Sequence, residues 1–336
     1  MKKSCLMALG IITTSMLMVY MSGCSSSKNG SNSSPPKGTE FTYTVGTIPF
    51  RIAIDGTGDV WVSGSNVVTK LNSSGFTIGT YTVGPASEGL WSMAIDSIGN
   101  VEVGEGGLGN YNIFKINSSG TLIDSYYSGN SPNDIAIDRG GNIWVVNYGD
   151  NTVIELSASG SFIASYTVGN SPYSIVIDAS GNVWVANHGD GTVTKLTLSG
   201  AYLGTYSAGS NPGFMAIDKD GNVWITNWES SSNIVTELDP SGSIIGAYTV
   251  GMWPTFLAID SANHVWVSNS HSNTVTELDS SGSLITTYTV GSSPLGIAID
   301  SSGNVWTANE HDGTVTEIIG VATGPQYWPY TGPQWP

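Results

Sequence analysis

The sequence predicts an all-β protein, a seven-bladed β-propeller of four-stranded antiparallel blades, and three observations lead there. Val, Ile, Thr, Tyr and Trp abound while only 11% of the 336 residues are charged, a composition that favours strands over helices. A triplet ending in Asp recurs at Asp55, Asp96, Asp138, Asp178, Asp218, Asp260 and Asp300, spaced by 40 to 42 residues. Each interval also holds four short β-rich runs separated by turn residues, which is the arithmetic of a propeller blade.

Residues 172–209 show the unit: PYSIVID, ASGN, VWVAN, HGDG, TVTKLTLSG, AYLGTYSAG. The first hairpin turns at D-x-x-G-N, and the third and fourth runs meet across Ser-Gly. Labelling the runs a to d from the Asp-ending strand, a, b and c occur seven times after residue 48. A d run follows c only six times. The seventh d-like segment, Phe41 to Gly46, precedes the first unit, so it is expected to complete the last blade from outside and tie the chain ends together.

Flanking segments complete the expected plan: 1–23 a signal peptide, 24–40 a lipidated cysteine and tether, 41–320 the propeller, 321–336 a Pro/aromatic tail. Lys2 and Lys3, then an uncharged apolar run from Leu6 to Met21, make a basic and an apolar region of secretory type. That run is shorter than the ~20 residues a spanning helix needs. Met21-Ser22-Gly23-Cys24 resembles the bacterial lipoprotein lipobox, with Met where Leu is more usual. The resemblance implies lipid on Cys24 and anchorage to a membrane of the bacterial cell envelope, facing the periplasm or exterior. Residues 25–38 are a polar low-complexity tether. In the tail Gly-Pro-Gln occurs twice, each time followed by aromatic and Pro, and the segment is expected to pack over the propeller.

Charge restricts the partners. The chain has a net charge of −16, or −18 once Lys2 and Lys3 are removed, and such a surface gains nothing from phosphate counterion release. No nucleic-acid partner is expected. Both cysteines, Cys5 and Cys24, precede the body, so no disulfide forms within it. A monomer is expected.

W-V-x-N followed by T-V-x-x-L and Y-T-V-G-x-x-P resembles the YVTN repeats of extracytoplasmic propellers. P-x-x-I-A-I-D-x-x-G-N-V-W-V is similar to the NHL-repeat and streptogramin (virginiamycin B) lyase propellers. Either resemblance covers 41–319 and implies the scaffold, since the shared residues recur in every blade. The seven Asp are expected to accept turn N–H bonds. Trp61, Trp144, Trp184, Trp224, Trp266 and Trp306 are expected between blades, with Glu102 replacing Trp in blade 2.

Function is expected where blades diverge, on the face formed by the d–a and b–c connections. After the proline position of each d–a loop stand Phe50-Arg51, Trp91-Ser92, Asn133-Asp134, Tyr173-Ser174, Gly213-Phe214, Thr255-Phe256 and Leu295-Gly296. Phe50, Arg51, Trp91, Tyr173, Phe214 and Phe256, with Tyr148, His188 and Trp228 from the b–c loops, form the expected ligand-binding rim. A small molecule, a glycan or a peptide suits such a rim. The first reading is therefore a non-enzymatic binding module needing no cofactor. The lyase resemblance implies an alternative: a magnesium ion held by two His and two Glu of late blades, one His acting as base in an elimination that opens a cyclic ester. His271 and Glu310 would then be metal ligands and His311 the base. Glu310 and His311 are adjacent where that family separates them by one residue, and its second metal-binding Glu has no counterpart here. A lactonase-like hydrolase would need carboxylates deep in the funnel, where the a runs place Ile, Ala and Val.

Overall fold

The computed structural model describes residues 35–46, 48–84, 89–107, 111–229 and 231–325. The expected signal peptide, the lipidation site Cys24 and the tail beyond Pro325 lie outside the described residues. Seven four-stranded antiparallel sheets make a seven-bladed propeller. In blade 4 the strands run Pro172–Ile177 (a), Asn182–Asn187 (b), Thr192–Thr197 (c) and Tyr202–Ser207 (d), from the axis outward. Blade 7 draws its outer strand from the N-terminal side of the chain. Glu40–Thr44 pairs antiparallel with Thr314–Ile318, Glu40 against Ile318 and Thr44 against Thr314. That closure leaves each ring end hydrogen-bonded instead of frayed.

In five blades the Asp that ends strand a fixes both the a–b turn and the Trp of strand b. In blade 4 one oxygen of Asp178 accepts the N–H groups of Ser180 and Asn182, which shapes the a–b turn. The other accepts the indole N–H of Trp184 at 3.0 Å. Asp55, Asp138, Asp218 and Asp300 make the same bond to Trp61, Trp144, Trp224 and Trp306. The indole is fully buried between blades, so its one polar atom must be met inside. In the six blades that carry the Trp, a Tyr of the outer strand packs beside it, as Tyr166 stacks on Trp144 at 5.4 Å. The same Tyr166 reaches under the c–d turn of blade 4, where a Cβ on Gly200 would collide with its ring. Gly200 also has φ +76°, so the Ser-Gly turn is dictated twice over.

Two blades depart from this pattern. In blade 2 Glu102 stands where the others bury Trp, and it is fully buried. It pairs with Lys115 at 2.8 Å and accepts a hydrogen bond from Tyr126, so it is a satisfied polar residue of the core. In blade 6 Asp260 turns to the backbone N–H of Thr323 at 3.0 Å, and Pro325 bridges to Asp260. Residues 321–325 thus pack on the a–b side, with Val321 and Ala322 buried in the core. The Asn residues that end the b strands tie strand to loop: Asn227 donates to the Ala208 and Ser210 carbonyls, Asn187 accepts the Gly169 N–H, and the amides of Asn187 and Asn309 donate to Thr hydroxyls of the c strand.

The axis is crossed near the cavity end of the a strands. Arg51 of blade 1 spans the funnel and pairs with Asp134 of blade 3 at 2.6 Å. Its Nε donates to the Trp91 carbonyl at 2.8 Å, and its Cζ lies 4.2 Å from the Phe214 ring centre and 4.3 Å from that of Phe256. Those two rings stack at 3.6 Å. Asp134 accepts further bonds from Ser174 Oγ and the Ile175 N–H. Burial presses the Arg51 pKa down, and the Asp134 charge opposes that shift. The septum separates a cavity of about 380 Å³ on the d–a/b–c face from a channel of about 400 Å³ walled by the a strands.

Asp178→Ala strips acceptors from a buried indole and two turn N–H groups, and is expected to cost about 2–4 kcal/mol in urea unfolding. Arg51→Met leaves Asp134 buried without its partner, an expected loss of about 3–5 kcal/mol, and adding Asp134→Asn to the same chain should restore part of it. Burial and a neighbouring Glu carboxylate push the Tyr166, Tyr248 and Tyr288 phenols up to about 12. A raised folded pKa favours the folded state while the phenol is neutral. That contribution is complete below the unfolded value near 10 and is lost as pH rises towards 12. Unfolding midpoints should therefore fall between pH 10 and 12, and Tyr248→Phe should flatten the fall.

Candidate functional site

The d–a and b–c loops are built alike in blades 3 to 7, and two backbone bonds set their register. The residue just before each a-strand proline has a left-handed backbone: Ser131, Ser171, Asn211, Trp253 and Ser293, with φ between 49° and 59°. Its carbonyl accepts an N–H from the b–c loop, at Tyr148, His188, Trp228, Ser270 and Glu310 in turn. In blades 3, 4, 6 and 7 the preceding carbonyl receives the next N–H, from Gly149, Gly189, His271 and His311. His271 and His311 thus occupy one structural position in adjacent blades. Glu310 shares its position with Tyr148, His188, Trp228 and Ser270.

This frame turns side chains towards one cavity. Of the residues expected at the rim, Phe50, Trp91, Tyr173, Phe214, Phe256 and Trp228 line it, together with His271, Glu310 and His311. Tyr148 and His188 do not reach it. They stand behind Tyr173, Tyr148 edge-on at 6.3 Å and His188 at 5.4 Å between ring centres. Burial lowers the His188 pKa, so this imidazole supports the wall in its neutral form. Arg51 lies below the aromatic layer and is spent on Asp134, so the cavity has no basic side chain from it. Cys24 is outside the described residues.

Sequence reasoning missed Trp253. It lines the cavity and packs edge-on against His271 with ring centres 4.0 Å apart. A left-handed backbone suits Ser or Asn and is unfavourable for an indole, and its four counterparts in blades 3, 4, 5 and 7 are Ser or Asn. The signal was present two residues upstream of the positions compared: a bulky ring where blades 3, 4, 5 and 7 have Ser or Asn. The indole N–H groups of Trp228 and Trp253 are buried and find no acceptor among the described residues.

The metal implied by the lyase resemblance can be tested on the donors. His271, Glu310 and His311 border the same cavity, but Glu310 accepts a hydrogen bond from Ser293 Oγ at 3.0 Å. Among the described residues no group of three or more His, Cys, Asp or Glu is arranged to hold a metal ion. A magnesium ion prefers an octahedral set of oxygens. One engaged carboxylate and two imidazoles do not fit it.

No curated protein matches the chain. Among solved structures, one described as a streptogramin B lyase superposes with a TM-score of 0.74 at 19% identity, over 83% of this chain and 96% of the other. A catalytically inactive virginiamycin B lyase from Staphylococcus aureus, solved with quinupristin, gives 0.74 and 19% over 84% and 99%. Hydrazine synthase from Kuenenia stuttgartiensis gives 0.72 at 16% identity over 82% and 97%. At these identities the likeness is one of fold. The family described as the virginiamycin B lyase family matches residues 121–323. That match spans blades 3 to 6 whole, the three inner strands of blade 7 and the outer strand of blade 2, and on it this chain belongs to the virginiamycin B lyase family.

Proposed function

We propose that the protein is an envelope-anchored binding propeller whose cavity takes a bulky, largely apolar ligand such as a macrocycle carrying aromatic groups. The observation that carries this reading is the closed-floored cavity of about 380 Å³ walled by rings from blades 1, 2, 4, 5 and 6. Rigid aromatics lose little entropy on contact and bury large areas. The septum supplies a floor, so a ligand is held on one face instead of threading the axis. Asn133, Ser270, Asn273, Ser292 and Ser293 offer neutral hydrogen-bonding groups among the rings. The quinupristin solved with the S. aureus relative supports a cyclic depsipeptide as the first probe. Lipid on Cys24 supports anchorage, on the strength of the Met21–Cys24 box.

A metal-dependent lyase is the second reading. Family membership and the shared frontage of His271, Glu310 and His311 support it, and the donor set weighs against it. Calorimetric titration of quinupristin separates the two. The binding reading expects one saturable site with negative ΔCp, weakened about 10-fold or more by Trp228→Ala, and recovery of intact ligand by mass spectrometry. An affinity indifferent to Trp228→Ala would remove the cavity from consideration. A ring-opened product, together with a single Mg²⁺ or Mn²⁺ site lost in His311→Ala, would establish the lyase in its place.

A further inference from the structure

The outer strands are amphipathic along their length. Phe76, Leu122, Phe162, Tyr202, Ile244 and Leu284 stand at the beginning of the outer run in blades 1 to 6. Each is joined within two residues by a second exposed Ile or Leu, and these side chains are 47% to 69% exposed. The exposed positions at the other end of the same strands are small or hydroxylic, such as Thr167, Ser207, Thr249 and Thr289. Tyr127 is the large exception, and it stacks on Tyr111 at 5.7 Å. The apolar ends all adjoin c–d turns, so they form a belt around one rim of the propeller, on the side away from the cavity. Large exposed apolar side chains repeated along one rim mark an interaction surface.

We infer that this rim seats the propeller on a lipid bilayer, with the cavity facing away from it. The inference rests on the proposed lipid at Cys24. Glu40 occupies the point at which the other outer strands begin, pairing with Ile318 as Leu284 pairs with Leu278. The tether therefore enters at the belt. Fifteen residues separate Cys24 from Glu40. Extended, they reach about 50 Å, and as a flexible coil about 20 Å. The chain also leaves the described residues on this side, at Pro325 against Asp260, and the sequence beyond carries Tyr327, Trp328, Tyr330 and Trp335. Trp and Tyr are the side chains favoured at a bilayer interface. A second copy of the chain suits the belt less well. In blades 1 to 6 a register shift between the c and d strands falls beside the apolar pair, and such bulges blunt edge-to-edge pairing.

The test uses the lipidated full chain in phosphatidylcholine vesicles, a neutral surface chosen because the chain is acidic. A nitroxide is attached through Phe162→Cys and, separately, through Thr167→Cys at the far end of the same strand. Ile244→Cys serves as a second belt site on the other side of the ring and covers a folding failure at Phe162. The belt labels should collide several-fold more with oxygen, and several-fold less with a water-soluble nickel chelate, than the Thr167→Cys label. Equal accessibility at both ends, in a chain whose lipid is confirmed by mass, overturns the belt and leaves the anchor standing. Spin–spin broadening at the belt that disappears on dilution with unlabelled chain assigns it to a second copy and likewise overturns the proposal. An unmodified Cys24 overturns the anchor and this orientation with it.

Discussion

The carboxylate–indole hydrogen bond is the constraint on which the rest of the propeller depends. A Trp filling the wedge between blades removes a large apolar surface from water but carries one N–H that must be met. The Asp ending strand a meets it with one oxygen and uses the other to close the a–b turn. One side chain therefore couples local turn geometry to packing between blades. Where the bond is lost, the structure compensates visibly. Blade 2 exchanges the indole for a Glu–Lys–Tyr group, and blade 6 gives its Asp to the C-terminal segment, leaving the Trp266 N–H without a protein acceptor.

Because that coupling occupies the a–b and c–d side, variation is free to accumulate on the opposite side. There a shared pair of backbone bonds, supported by side chains such as Asp190 and Asn273, sets the loop frame and leaves the side chain at each station free to vary. One frame position accordingly carries Tyr148, His188, Trp228, Ser270 and Glu310 in successive blades. This is how a repetitive scaffold makes an asymmetric cavity: identical backbone, different chemistry at each station. The rings lean on one another in a continuous arc from Tyr148 through Tyr173 and Trp228 to Trp253 and His271. Such an arc is rigid before any ligand arrives, which favours binding by pre-organisation.

The septum makes a further distinction. An arginine at a funnel mouth invites assignment to an anionic ligand, yet Arg51 is consumed by Asp134 across the axis. Its charge is worth more in closing the channel than in recruiting a partner, because two buried opposite charges at contact distance hold each other strongly only while both remain. The aromatic cavity above is left without that cation, consistent with an uncharged apolar ligand.

The blade count, the borrowed outer strand and the structural role of the Asp and Trp residues were all legible in the amino-acid sequence, because each is repeated and repetition exposes a shared physical cause. Phe50, Trp91, Tyr173, Phe214, Trp228 and Phe256 could likewise be placed on one face by counting from the repeat. What only the tertiary structure decided are the relations across the ring. Arg51 and Asp134 lie 83 residues apart and meet only because the blades close on an axis. Tyr148 and His188 share a loop register with cavity residues yet stand behind Tyr173, since ring size and tilt, not spacing, decide which side chain reaches the centre. Trp253 stands out in the repeat as a ring among Ser and Asn, but only the fold shows that its left-handed backbone turns it against His271 at the cavity. Repeats encode the blade, whose contacts are local; the site is made of contacts between blades, and those exist only once the ring has closed.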